Sequence, residues 1–173
     1  MNGVLSGIKV IEVAIYAFVP AAGAVLSDMG ADVLKIEHPE NPDPMRNLSS
    51  YGINKPGTGG PSVLWQVMNR GKRSVGIDIR NPEGLEVLMS LVDEADIFLT
   101  NFMQPARAKL GIDAKDILAR NPRIIYGRGT GHGPVLMHYP IGQDQALLLL
   151  ACRMRTATRR LCPGQPLAIF KAG

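Results

Sequence analysis

Residues 7–37 read GIKVIEVAIYAFVPAAGAVLSDMGADVLKIE, and the punctuation of this stretch sets the fold. IKVIEVA (8–14) predicts a buried strand: a short apolar run bounded by turn residues. PAAGAVLSDMGA (20–31) predicts a helix, with Pro20 in its first turn and Gly30 at its end. ADVLKIE (31–37) predicts a second strand. Strand, helix and strand follow one another with short connections.

The same alternation continues downstream. Residues 38–61 have the proline and glycine density of a long loop. KRSVGIDI (72–79) predicts a third strand. NPEGLEVLMSLVDEA (81–95) predicts a helix that Asn81 caps and Pro82 opens. DIFLTN (96–101) is a fourth strand, residues 104–121 are one or two helices with Asp113 as a cap, and RIIYGRG (123–129) is a fifth strand. Strand–helix alternation with continuous apolar strands predicts an α/β fold: a mostly parallel sheet with helices on both faces. In such sheets ligands bind beyond the carboxyl ends of the strands. The positions to search are therefore 14–19, 37–45, 78–80, 101–104 and 129–134.

Composition narrows the class. The chain has 173 residues, 46% hydrophobic and 20% charged, within the ordinary globular range. Its net charge of +4 is unevenly placed. Residues 1–134 balance acids and bases, whereas in 135–173 Arg153, Arg155, Arg159, Arg160 and Lys171 face one acid, Asp144. No aromatic residue interleaves those arginines, so a solvated or disordered tail is expected rather than a nucleic-acid or lipid surface. Cys152 and Cys162 are the two cysteines, both in the tail. Neither a disulfide framework nor a zinc cluster organises the body, which fits a reducing cytoplasm. Glu12 and Pro20 interrupt the apolar start and no basic segment precedes it, so a signal peptide is not expected. LLLLAC (147–152) is too short to span a bilayer. QALLLLACRMR (145–155) has room for a short helix, after which no period is visible.

Several motifs bear on a site. Glu37 ends the second strand, where a dinucleotide site places its ribose-binding acid. The first strand–helix turn, AIYAFVPAA, lacks the G-x-G-x-x-G that brings backbone against a pyrophosphate, which argues against an NAD-dependent dehydrogenase. There is no P-loop and no nucleophile elbow. The cations of NRGKRS (69–74) and Arg80 either meet phosphates or solubilise the ends of a strand. In TNFMQPARAKLG (100–111), Asn101, Phe102, Arg107 and Lys109 suit a phosphorylated nucleotide, although Asn101 taken alone is a common turn residue. His38, His132 and His138 show no ligand spacing, so no metal is expected.

Taken together, GIKVIEVA…VPAAGAVLSDMGADVLKIEHPENPDPMR, NRGKRSVGIDIRNPEGLEVLMSLVDEADIFLTNF and KLGIDAKDILARNPRIIYGRGTGHGP resemble the family III CoA-transferases. That family includes formyl-CoA and carnitine-CoA transferases and the α-methylacyl-CoA racemases. The resemblance runs from about residue 7 to residue 134 and implies a Rossmann-like large domain. It implies coenzyme A as substrate and acyl carrier, an acyl-CoA and a carboxylic acid as reaction partners, and interlocked homodimers. It also implies CoA contacts at Ala14, Tyr16, Ala17 and Phe18, at His38, at Ile77, Asp78, Ile79 and Arg80, at Asn101, Phe102 and Met103, and at Lys109.

The transferases of this family use one aspartate as nucleophile. Its carboxylate attacks an acyl-CoA thioester to give a mixed anhydride, and CoA thiolate then forms an aspartyl-CoA thioester. The aspartate lies shortly after a glycine loop. Here Gly142-Gln143-Asp144 offers Asp144, about two residues further from the Gly-Pro pair than in the family pattern, after an unlike linker, VLMHYPI. The racemases place a histidine beside the aspartate; Gln143 in that place disfavours racemization. Relatives of this family are much longer, with a completed large domain and a separate small one. The expected organisation is therefore an N-terminal part of the large domain over 1–134 and a divergent basic tail over 135–173, from a truncated or frameshifted gene. On that reading Asp144 is a coincidence, the interlocked dimer does not form, and the chain is impaired as an enzyme or acts as a non-catalytic CoA-binding or dimer-partner fragment.

Overall fold

The computed structural model describes residues 3–47 and 62–130. The chain divides into two units, Met1–Gly129 and Thr130–Gly173, and all elements below belong to the first. Five strands form one parallel sheet: β1 (Lys9–Val13), β2 (Asp32–Glu37), β3 (Arg73–Gly76), β4 (Ile97–Thr100) and β5 (Ile125–Arg128), in the order β3-β2-β1-β4-β5. Strand order reverses at β1, whose neighbours β2 and β4 lead outward in opposite directions. Helices cover both faces, as the alternation of the sequence predicts.

Where element ends differ from expectation, the reasons are local. The first helix, α1 (Phe18–Asp28), begins two residues before Pro20. A proline at any first-turn position removes an amide that has no intrahelical acceptor, so it does not mark the start. β3 stops at Gly76 rather than continuing to residue 79. Ile77 N–H still donates to the Glu37 carbonyl at 2.8 Å, and then the chain turns, with Asn81 N–H on the Asp78 carbonyl at 3.1 Å. A helix not expected from the sequence, α2 (Val63–Asn69), is capped by Ser62, whose Oγ accepts from Trp65 N–H. α3 (Pro82–Asp93) starts as expected, with Asn81 Oδ1 accepting from Glu83 N–H at 2.9 Å. Residues 104–121 form two helices, α4 (Gln104–Leu110) and α5 (Ala114–Arg120). Gly111 divides them in a left-handed conformation, φ 66°, that glycine adopts without penalty. Asp113 caps α5 in a reciprocal capping box with Asp116.

The two faces of the sheet differ in chemistry. Toward α3 and α5, Ile11, Val13, Ile36 and Phe98 pack with Leu88, Val92, Ile112, Ile117 and Ile124 in an apolar core. Phe98 stacks on Tyr126 with ring centroids 5.5 Å apart, and burial pushes the Tyr126 phenol up to about 12. Toward α1 and α2, the alternate residues begin apolar with Val10, Val33 and Ala31 and become ionic near the carboxyl ends, with Glu12, Lys35 and Glu37. Among the described residues no helix is long and apolar enough to cross a membrane.

Candidate functional site

The carboxyl ends of β2 and β3 enclose a cavity of about 190 Å³. Val13, Ile36, Phe102 and Leu110 give it apolar walls; Glu37, His38, Asn41, Asp78 and Arg80 give it a polar rim, with Ile77 and Ile79 between. Six of the residues expected to contact CoA therefore meet at one place: His38, Ile77, Asp78, Ile79, Arg80 and Phe102. The rim is internally ordered. His38 Nδ1 accepts from the N–H groups of Glu40 at 3.1 Å and Asn41 at 3.0 Å. Its Nε2 lies 3.3 Å from Asp78 Oδ2. Arg80 donates to Asp78 Oδ1 from Nε at 2.9 Å and also approaches His38 Nε2. The Arg80 side chain, then its backbone N–H, hold the Asp78 carboxyl well below the usual carboxylate range. An apolar slot with a cation and an imidazole at its mouth suits a flat, polar-edged group joined to phosphates.

The remaining expected contacts lie elsewhere. Tyr16, Phe18 and Met103 are exposed at the carboxyl ends of β1 and β4, and Ala17 is the N-cap of α1 without a side-chain cap. Ala14 is buried to 1% exposure, so its methyl faces protein. Lys109 is exposed in the last turn of α4. Asn101 is turned inward: its Oδ1 accepts from Ile15 N–H at 3.1 Å, and its Nδ2 donates to the Ile15 carbonyl at 2.7 Å. Asp144, His132 and His138 fall outside the described residues. A larger cavity, about 520 Å³, lies at the amino ends of the strands among Lys9, Leu34, Arg73 and Leu91. It contains none of the expected residues and sits opposite the end where ligands bind in parallel sheets.

The cations of NRGKRS resolve into separate roles. Arg70 pairs with Asp28, and Arg73 pairs with Asp32 at 2.6 Å, both exposed at the amino end of the sheet. Lys72 is buried, with Nζ 2.7 Å from Glu12 Oε2, 2.8 Å from the Pro20 carbonyl and 3.1 Å from Asn69 Oδ1. Burial pulls its pKa down against the attraction of Glu12. Arg80 alone of this basic group stands at the carboxyl end.

Lys72 opens a network that the sequence reading did not anticipate. Glu12 also meets Lys35 Nζ at 3.2 Å, and Lys35 Nζ lies 3.1 Å from Asp43 Oδ2. Beside it Glu37 takes a two-pronged contact from Arg46, at 2.8 and 2.7 Å, with Ser74 Oγ at 2.9 Å. The Arg46 guanidinium lies over the Trp65 ring at 3.8 Å. Burial works to raise the Glu37 carboxyl, yet the Arg46 hydrogen bonds, the Asp43 N–H and the Ser74 hydroxyl outweigh it and hold the group at about 2. Three acids and three bases balance, which is what allows their burial. Gly23 of α1 is needed here, because a Cβ at that position would overlap Glu12 Oε2. The signal in the sequence was a glutamate and a lysine inside otherwise apolar strands.

The chain is similar to known proteins over most of its length. A family model described as CoA-transferase family III matches residues 5–146, past Pro134 and across Asp144. A succinate–glutarate CoA-transferase from Agrobacterium fabrum is 40% identical over 130 residues, which is 75% of this chain and 32% of that protein. The alpha subunit of a succinyl-CoA–L-malate CoA-transferase from Chloroflexus aurantiacus is 36% identical over 129 residues, 75% of this chain and 29% of the subunit. The crystal structure of a CAIB/BAIF family protein from Brucella suis superposes with a TM-score of 0.72 at 36% identity, covering 87% of this chain and 39% of that one. The chain spans about a third of the length of the curated relatives it matches. Among the described residues no group of three or more His, Cys, Asp or Glu is placed to hold a metal ion.

Proposed function

The chain belongs to CoA-transferase family III, and from that premise we propose that it carries the CoA-binding α/β layer of an enzyme that moves CoA between an acyl-CoA and a carboxylic acid. The observation that supports this most is the gathering of His38, Ile77, Asp78, Ile79, Arg80 and Phe102 around one cavity at the carboxyl ends of the strands. In this reading the cavity takes the nucleotide end of CoA, with Arg80 and His38 toward its phosphates. Tyr16, Ala17, Phe18 and Met103 line the path of the thioester arm. Lys109 serves as an outlying phosphate contact. Asn101 acts through the backbone of Ile15 rather than by its own amide.

The nucleophile in this reading is Asp144. Its carboxylate attacks the acyl-CoA thioester and displaces CoA thiolate to give a mixed anhydride. The thiolate attacks the aspartyl carbonyl and expels the donor acid, leaving an aspartyl-CoA thioester. The acceptor carboxylate then displaces CoA thiolate to form a second anhydride, and the thiolate attacks its acceptor carbonyl, giving the new acyl-CoA and the free aspartate. The match of the family model across residue 144 supports this role. Calorimetric titration with CoA, beside a chromatographic assay of CoA exchange between succinyl-CoA and a free acid, tests both halves. Micromolar CoA binding that Arg80→Ala weakens about tenfold supports the site. A chain that binds NAD and ignores CoA overturns it. Turnover abolished by Asp144→Ala supports the nucleophile, and turnover unchanged by that substitution removes it.

A further inference from the structure

The loop between β1 and α1 is gripped at four backbone groups by side chains from three other places in the fold. The Ala14 carbonyl accepts from Lys35 Nζ of β2 at 2.7 Å. Asn101, just after β4, takes both the N–H and the carbonyl of Ile15. The Tyr16 N–H donates to Asp43 Oδ1 at 3.0 Å. The grip has a visible consequence. Tyr16 has φ 62°, the one non-glycine residue with positive φ among the described residues. A tyrosine has no local side-chain hydrogen bond with which to favour that region, unlike asparagine or aspartate. The loop sequence therefore does not choose this conformation; its surroundings impose it.

Asp43 is placed for that task. It is 1% exposed, and its Oδ1 accepts from both Tyr16 N–H and Met45 N–H at 3.0 Å. Its own N–H is taken by Glu37 Oε2 at 3.0 Å, so the carboxylate is oriented by the Glu37–Arg46 pair. Oδ2 is buried 3.1 Å from Lys35 Nζ without a hydrogen bond of good geometry, a contact that neutralises charge rather than directing the group. The direction-setting oxygen is the one on Tyr16.

We propose that Asp43 is a positioning residue: through the Tyr16 N–H it locks residue 16 in the left-handed region and so presets the ligand-facing edge of the site. Lys35 and Asn101 hold the preceding two residues in the same setting. The inference rests on the CoA reading only for the identity of the ligand that meets this edge. Preorganisation of this kind lowers the ordering cost of binding.

The test uses the full chain labelled with ¹⁵N, with the variants Asp43→Ala, Asp43→Asn, Tyr16→Gly and the double change. Amide exchange and the three-bond HN–Hα coupling of residue 16 report the loop without any ligand. Asp43→Ala is expected to speed exchange of the Tyr16 amide about tenfold and to shift its coupling, while β1 amides stay protected. Asp43→Asn keeps an oxygen acceptor and is expected to keep the amide protected within about twofold, which separates positioning from general destabilisation. CoA affinity measured on the parent chain, Asp43→Ala, Tyr16→Gly and the double variant completes a cycle. Glycine adopts positive φ unaided, so Asp43→Ala is expected to weaken CoA several-fold alone and less than about twofold when combined with Tyr16→Gly. An unchanged residue-16 amide and coupling in Asp43→Ala, or an equal loss of affinity with and without Tyr16→Gly, overturns the proposal. Absence of CoA binding by the unsubstituted chain overturns the CoA reading instead, and the exchange and coupling data still decide the role of Asp43.

Discussion

The two faces of the sheet are built from alternate residues of the same strands, yet they hold together by opposite means. Ile11, Val13, Ile36 and Phe98 face an apolar core. Glu12 and Lys35, cross-strand neighbours in register, face a buried ionic network that continues to Lys72 and Asp43. The apolar face depends on filled volume rather than on the direction of any one contact, because dispersion and burial are non-directional. The ionic face tolerates little, because each buried charge depends on a partner at a set distance. That difference assigns the faces different work. One stabilises the layer; the other aims the loop at the carboxyl end of β1, where the ligand is expected.

The comparison is broken most severely by Glu12→Ala. It leaves Lys35 and Lys72 buried without the carboxylate between them, and the expected loss is about 4 kcal/mol in urea unfolding. CoA affinity should fall with it, since Lys35 also holds the Ala14 carbonyl. Leu88→Ala, on the apolar face, should cost about 3 kcal/mol by the same measurement. It should leave CoA affinity per folded molecule unchanged; a matching loss of affinity would show that the faces are not separable in function.

Acid sharpens the contrast without mutation. The Glu37 carboxyl is held at about 2, below its ordinary 4.5. The stability it contributes is complete above about pH 4.5 and is lost as pH falls toward 2, by up to about 3 kcal/mol. Trp65 lies on the Arg46 partner of Glu37 at 3.8 Å and is the single tryptophan. Its fluorescence should change in that window in the parent chain. With Glu37→Gln the stability change across the same window should shrink; an identical acid transition would remove Glu37 as its cause. The smallest expected effect is Asn81→Ala, which removes a helix cap far from the ionic network and should cost about 1 kcal/mol by thermal unfolding.

Much of the architecture was legible in the chain because it is written in local terms. Pro82 after Asn81 announces α3, Asp113 announces α5, and short apolar runs between turn residues announce the strands. The exceptions were also local. Pro20 marks a first turn rather than a first residue, and α2 carries little beyond its Ser62 cap to distinguish it from loop. The site was legible in part. Six of the residues named from the segments after the strands share a cavity. The function of Asn101 was not, because an amide after a strand reads alike whether it faces ligand or backbone. The ionic network was missed because Glu12, Lys35, Asp43 and Lys72 come from separate segments, and nothing local shows that they meet.

The sequence by itself determined the strand–helix order, the parallel sheet, the end of that sheet at which a ligand is expected, and the family. Periodicity, caps and turn residues act over a few positions, and the family motifs are contiguous. Tertiary structure alone decided which charges are buried, which partners neutralise them, and that Tyr16 stands in a left-handed conformation its own neighbours in sequence do not favour. Electrostatic pairing and backbone capture depend on distances between segments that only folding brings together.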